Sequence, residues 1–271
     1  MLSKFIFFNQ TLSQNFDRLL PKKLRKDGNG TFLREILPSA VGRGDIVYDL
    51  GSGSQPYFSP EGKEKIGAIV VGLDIDSAEL AGAETGSYDR TIVHDLCTFE
   101  GVADANVVIC QATLEHVPDT TGAIRAITST LAPGGRAFIF APCRNAAFAR
   151  LNIILPEALK RKILFSLFPS KAEGHDGFKA YYDKCTPSAI ERLARENGLE
   201  VDERHVFWMS SYFTIFFPAF VAWRLTQLIS WLILRDDAAE TFIFVLRKPA
   251  YSRREKEQNS SEPTVPKWPA V

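Results

Sequence analysis

Residues 47–57, VYDLGSGSQPY, constrain this chain more than any other stretch. An apolar, β-rich run (Ile46, Val47, Tyr48) ends in Asp49, and Gly51 and Gly53 then leave backbone without side chains where a strand must turn sharply. A ligand can approach such backbone closely. At the carboxyl end of a parallel strand, the exposed N–H groups form a cradle suited to a nucleotide. A glycine pair alone decides little, so the surrounding pattern carries the assignment.

That pattern is an alternation. Short apolar runs, IGAIVVGLDID (67–76), RTIVHDL (90–96), ANVVIC (105–110) and GRAFIFAPC (135–143), follow a first strand expected from Asp45. Each reads as a strand fully buried between helices, and LEVDERHVF and ETFIFVLRK supply the last two. The fold class expected is α/β: a Rossmann-like, doubly wound, mostly parallel seven-stranded sheet with helical, apolar insertions. Helices are expected over TFLREILPSAV capped by Thr31, over 77–81, and over 120–131 ended by Pro133, Gly134 and Gly135. The clearest helix is TPSAIERLARENGLEV, with Thr186 as cap, Pro187 in the first turn and Asn197-Gly198 as the stop. The expected organisation is a helical lid over 1–44, one domain over 45–250 with insertions at about 144–185 and 206–235, and a disordered tail over 251–271 rich in charge, Ser and Pro.

Composition narrows the partners. A chain of 271 residues, 45% hydrophobic, can bury a full core. Its 32 Lys and Arg balance 32 Asp and Glu, so no global field draws nucleic acid, and no nucleic-acid partner is expected. Cys97, Cys110, Cys143 and Cys185 are widely spaced and accompanied by four histidines, which suggests neither a zinc site nor a disulfide framework. The N-terminal MLSKFIFF lacks an adequate apolar core and cleavage site for a secretory signal, so a reduced cytoplasmic chain is expected.

Carboxylates recur at strand ends: Asp49 before the glycines, Asp74 closing the second strand, Asp95 closing the third. All three fall on one edge of such a sheet. A carboxylate at the end of the second strand is placed to accept hydrogen bonds from both ribose hydroxyls. Asp76, before SAEL, suits a helix cap better, and Asp95 reads equally as ligand or loop cap.

Taken together, residues 45–143 resemble the class I S-adenosylmethionine-dependent methyltransferases. DLGSGS is similar to the family's first motif, VVGLDID to its second, HDL to its third, VVICQATLEHVPD to its fourth and LAPGGRAFIFAPC to the following strand. The resemblance implies S-adenosylmethionine as cofactor, with Asp49, Gly51, Ser52 and Gly53 around its amino acid end and Asp74 at its ribose. It likewise implies Ile75 against the adenine face, Asp95 at the adenine amino group with Leu96 beside it, and Gln111 near the methionine moiety. The usual third glycine is replaced by Gln55, followed by Pro56 and Tyr57. The same departure counts against a nicotinamide-dependent dehydrogenase, whose fingerprint needs that glycine to open a helix.

Methyl transfer from a sulfonium asks the protein chiefly for alignment and, with a hydroxyl acceptor, for a proton sink. His116, in LEHVPD after the fourth strand, is the histidine placed for a general base; holding a backbone carbonyl is its alternative role. Tyr181, Tyr182 and Asp183 fall beside the expected acceptor pocket, where packing also accounts for them.

Two stretches are exceptionally apolar. Residues 206–223 carry no charge across eighteen positions, and the run resumes at 228–234. Its length qualifies as a spanning candidate. Flanking strands in one sheet argue instead for a re-entrant or in-plane helical pair broken at Pro218. Trp208, Tyr212, Trp223 and Trp231 suit a membrane interface. Leu159, Ile163, Leu164, Leu167 and Phe168 share a face opposite Lys160, Arg161 and Lys162, and Phe5, Phe8, Leu12, Phe16 and Leu19 precede the basic cluster Lys22, Lys23, Arg25 and Lys26. Peripheral or monotopic contact with the inner face of a membrane is expected; a lid or a homodimer interface is the alternative. The function expected is O-methylation of a lipophilic or lipid-linked acceptor. A soluble enzyme for a small molecule or sugar nucleotide, and a cofactor-binding scaffold without activity, stand as the other two readings.

Overall fold

The computed structural model describes residues 2–155, 179–209 and 213–250. The basic amphipathic stretch over 159–168, Tyr212 and the tail lie outside the described residues. The strands are β1 (Ile46–Leu50), β2 (Ile69–Asp74), β3 (Arg90–Val93), β4 (Ala105–Gln111), β5 (Leu131–Pro142), β6 (Glu200–Phe207) and β7 (Thr241–Arg247). They form one sheet in the order β3-β2-β1-β4-β5-β7-β6, parallel except for β7, which runs antiparallel to both neighbours.

The helices are α1 (Leu2–Arg18), α2 (Gly28–Thr31), α3 (Pro60–Ile66), α4 (Ser77–Ala81), α5 (Thr120–Thr130), α6 (Ala147–Ile154), α7 (Pro187–Glu196) and α8 (Phe217–Leu234). Alternate residues of the central strands feed separate apolar layers, which is why those strands read as continuous apolar runs. Tyr48, Leu50, Val71, Leu73, Val108 and Cys110 enter one layer. Val47, Val70, Val107, Ile109, Phe138 and Phe140 enter the other.

Several local expectations need correction. The helix after DGNG is capped by Asp27, whose carboxylate accepts from the Asn29 and Gly30 amides, and Thr31 lies inside it. The cap sits four residues early because Asp27 and the two glycines already form the turn. Edge strand β3 is largely exposed, having a neighbour on one side only. Helix α5 stops at Thr130, and Pro133, Gly134 and Gly135 lie within an irregular start of β5, where pairing jumps from Ala105–Leu131 to Val107–Arg136. Helix α3 carries a signal the sequence reading passed over: Ser59 caps it by accepting from the Gly62 amide, with Pro60 in its first turn.

The largest correction concerns α8. Pro218 breaks nothing; it occupies the first turn of a single helix, where its missing N–H has no partner to lose. Trp208 and Trp223 are buried inside the protein, and the Trp223 indole donates to Glu240 Oε1 at 2.8 Å. Helix α1 packs alongside α8: Asn9 Oδ1 accepts from the Phe217 amide at 2.9 Å, and Phe16 meets Phe217 and Phe220 edge-on.

Candidate active site

Four strand ends converge on the carboxyl edge of the sheet. At the end of β1, Gly51 adopts φ +73° and donates its N–H to the Leu73 carbonyl at 2.6 Å. A Cβ there would collide with Thr113, whose hydroxyl donates to the Leu50 carbonyl at 2.9 Å. Gly53, at φ +51°, would carry a Cβ 3.3 Å from Asp74 Oδ2. Gly51 is therefore required both by backbone sign and by crowding, and Gly53 chiefly by backbone sign.

The loop then curls back on itself. The Gln55 amide donates to the Ser52 carbonyl at 2.9 Å, and the Tyr57 amide donates to Asp49 Oδ2 at 2.9 Å. This turn stands where the usual third glycine is replaced by Gln55. Tyr88 braces it from below, its ring packed on Gly72, its hydroxyl donating to the Gly53 carbonyl at 3.0 Å and 2.6 Å from Ser52 Oγ.

Asp49 is almost wholly buried, and desolvation pushes its carboxyl up to about 6. Asp74 is also raised, chiefly by burial, while its Oδ1 accepts from the Asp76 amide at 3.0 Å. Asp76 caps α4 through the Ala78 amide, as its position predicts. Ile75, beside Asp74, is 60% exposed and stands out from the edge. Asp95 Oδ1 accepts from the Cys97 amide at 2.8 Å, the loop-cap arrangement, and Leu96 is buried beneath it. Gln111 ends β4 and donates to Asn29 Oδ1 at 2.9 Å, so α2 reaches over the edge. Gly28 makes that approach possible, because a side chain there would strike Thr241 and Phe207.

A second segment closes on the turn Leu114–His116 from 63 residues away. The Tyr181 and Tyr182 amides both donate to the Glu115 carbonyl, at 2.8 and 2.9 Å. Asp183 Oδ2 accepts from the Thr120 amide at 3.0 Å, and Arg144 donates to the Tyr182 carbonyl at 2.8 Å. Tyr182 is buried as packing, whereas Tyr181 is partly exposed.

His116 Nδ1 lies 3.2 Å from the Lys179 carbonyl. A carbonyl only accepts, so Nδ1 carries the proton of the neutral ring and the Nε2 lone pair is the basic one. The Glu115 carboxyl, with Oε1 3.9 Å from His116 Nε2, is buried, and its Oε2 has no hydrogen-bond partner among the described residues. Desolvation pushes it up to about 8.

Thr113, Tyr88, Asn29 and Glu115 thus belong to the site's surroundings and were not singled out from sequence. Only Glu115 had a local signal, a carboxylate in a tight turn between Leu114 and His116. The others arrive by contacts spanning 36 to 82 residues in sequence.

Comparison with known proteins bears on the family and the fold. A family model described as a methyltransferase domain matches residues 7–204. The ubiquinone biosynthesis O-methyltransferase of Thiobacillus denitrificans is 30% identical over 178 residues, 63% of this chain and 71% of that protein. The one of Marinobacter nauticus is 32% identical over 169 residues, covering 59% and 66%. The chain therefore spans about two thirds of the length of these curated relatives. Among solved structures, a SAM-dependent methyltransferase from Methanosarcina mazei aligns with TM-score 0.51 at 18% identity over 80% of this chain and 98% of that one, a likeness of fold. With the family match and the Rossmann-like sheet in agreement, the chain belongs to the class I S-adenosylmethionine-dependent methyltransferases, enzymes that use that cofactor.

Proposed function

We propose that this enzyme methylates a hydroxyl oxygen of a lipophilic acceptor presented at a membrane surface. The observation that carries the reading is the pair of desolvated carboxylates, Asp49 and Asp74, flanking glycines that leave room for a ligand against the backbone. S-adenosylmethionine fits this donor set, since its ammonium and sulfonium are cationic and its ribose offers two donors to one carboxylate. Bound there, it supplies an electrophilic methyl group on an already activated leaving group.

The chain's residues then have distinct tasks. Asp49, Gly51, Ser52 and Gly53 hold the amino acid end, and Asp74 accepts from the ribose. Ile75 supplies apolar contact to the adenine, and the oxygen of Asp95 not used on Cys97 takes its amino group, with the buried Leu96 beside it. Gln111, steadied by Asn29, lines the methionine side. His116 takes the acceptor's proton on Nε2 while the Lys179 carbonyl fixes the ring tautomer. The names of the relatives support oxygen as the atom methylated and a quinone-like lipid as the acceptor type.

Transfer of labelled methyl to a long-chain phenol in detergent micelles tests this. Turnover is expected, with His116→Ala lowering kcat about 10²-fold and leaving cofactor affinity unchanged. Cofactor binding without transfer to any hydroxyl acceptor would reject the reading in favour of an inactive scaffold. An effect of His116→Ala within a few fold would remove His116 as the base.

A further inference from the structure

Helix α8 is turned inside out. Its inward residues, Phe220, Trp223, Arg224 and Gln227, include its single charge and its single carboxamide. The Arg224 guanidinium donates to Asp17 Oδ1 at 2.7 and 3.1 Å, to the Trp208 carbonyl at 2.7 Å and to Gln227 Oε1 at 2.9 Å. The outward residues are Leu225, Leu228, Ile229, Leu232 and Ile233, each more than half exposed. A helix facing water places these groups the other way round.

The spacing of three and four makes one apolar stripe. Phe5 and Phe8 on neighbouring α1 and Ile154 on α6, which touches α8, are exposed as well. Such a patch marks a partner surface. Charge identifies the partner. The turn Lys22–Arg25 follows α1 and leans on α8, where Arg224 Nη2 donates to the Leu24 carbonyl at 3.3 Å and Leu24 and Leu234 join one apolar cluster. Among the described residues Lys22, Lys23 and Arg25 form no ion pair, and the acid nearest the stripe on α1, Asp17, is turned inward to Arg224. A hydrocarbon stripe bordered by cations matches an anionic lipid surface.

The anchoring sets the orientation. Eighteen helical residues reach about 27 Å, close to a bilayer's hydrocarbon thickness. Yet both ends of α8 return to adjacent strands of one sheet, and its inner face is fastened to Asp17 and Glu240. It therefore lies in the plane of the interface. Thr241, where the chain leaves this segment, pairs with Pro142 at the carboxyl end of β5, so α8 springs from the edge that carries the active site.

We infer that the outward face of α8, with α1 and the Lys22–Arg25 turn, docks in plane on an anionic phospholipid bilayer. The inference builds on the reading of a lipophilic acceptor, which is reached at that surface. The test is co-sedimentation of the full chain with vesicles of phosphatidylcholine alone or with 30% phosphatidylglycerol, beside a fluorophore on Leu228→Cys in a Cys97→Ser background. We expect binding at least tenfold tighter to the anionic vesicles, most of it lost in 0.5 M salt or in Lys22→Glu/Lys23→Glu, and a blue shift of the label on vesicle addition. Leu228→Glu/Leu232→Glu abolishes binding while circular dichroism, cofactor binding and turnover of a micellar acceptor stay unchanged. No binding to either vesicle, or a label already blue-shifted without vesicles because a second copy or another segment covers the stripe, overturns the inference. Turnover without vesicle binding removes the docking surface and keeps the proposed reaction; vesicle binding without turnover does the reverse.

Discussion

Two regions of this molecule bury carboxylates, and they treat them differently. At the carboxyl edge, Asp49 and Asp74 have no basic side chain within an ion pair among the described residues, and burial raises both. Under α8, Asp17 meets Arg224 directly, and Glu240, which burial raises too, accepts side-chain hydrogen bonds from the Trp223 indole and the Gln227 amide. A buried charge is costly unless it is paired. The pairs under α8 are complete without any ligand and hold helices together. The carboxylates at the edge accept from backbone amides, and in the function proposed above a cationic, polyhydroxyl ligand completes them.

The sharpest way to break the contrast is Arg224→Ala. It strands Asp17 in a dry setting and should cost about 3–5 kcal/mol in denaturant unfolding, with much of it recovered in Asp17→Asn/Arg224→Met. A loss under about 1 kcal/mol would mean that the network is not a brace. At the edge, Asp74→Ala should leave unfolding nearly unchanged and weaken calorimetric binding of S-adenosylmethionine about 10²-fold, the worth of charge-assisted hydrogen bonds to a ligand. Equal affinity would refute the assignment of Asp74 to the ribose. The smallest effect is the pH response of Glu115. Its folded carboxyl stands near 8 against an ordinary 4.5, so the stability it contributes is fully present below pH 4.5 and is lost as pH rises through 8. Glu115→Gln should flatten that decline, raising Tm by a few degrees relative to the parent at pH 9 and changing it little at pH 4.5. Parallel melting curves for both proteins across that range would show that Glu115 does not titrate in this window.

How much of this was legible in the chain depended on range. The strands could be read because residues buried on both faces make unbroken apolar runs, and Asp76 and Thr186 could be read as caps because a cap acts within three residues. That the glycines follow β1 and Asp74 ends β2 was legible for the same reason: each lies next to the apolar run it closes. Thr31 was misread as a cap because Asp27 offered a better one beside the glycines. The orientation of α8 was not legible, since Trp208 and Trp223 look alike as interface or core until Glu240 and Arg224 are seen to hold them. Tyr88 and Asn29 reach the glycine loop and Gln111 from distant segments, and pattern within a window does not report such meetings.

Helix α8 is housed in the turn of a β-hairpin. Phe207 and Thr241 are cross-strand partners, and the Glu240 amide donates to the Phe207 carbonyl at 2.8 Å, so β6 and β7 close on each other before residues 208–240 are considered at all. The entropy of closing a loop rises only slowly with its length. What the protein carries there is a segment whose two ends sit side by side on paired strands. A change of length between those ends costs little in loop entropy, so long as the fastening of Arg224 to Asp17 and of Trp223 to Glu240 is kept.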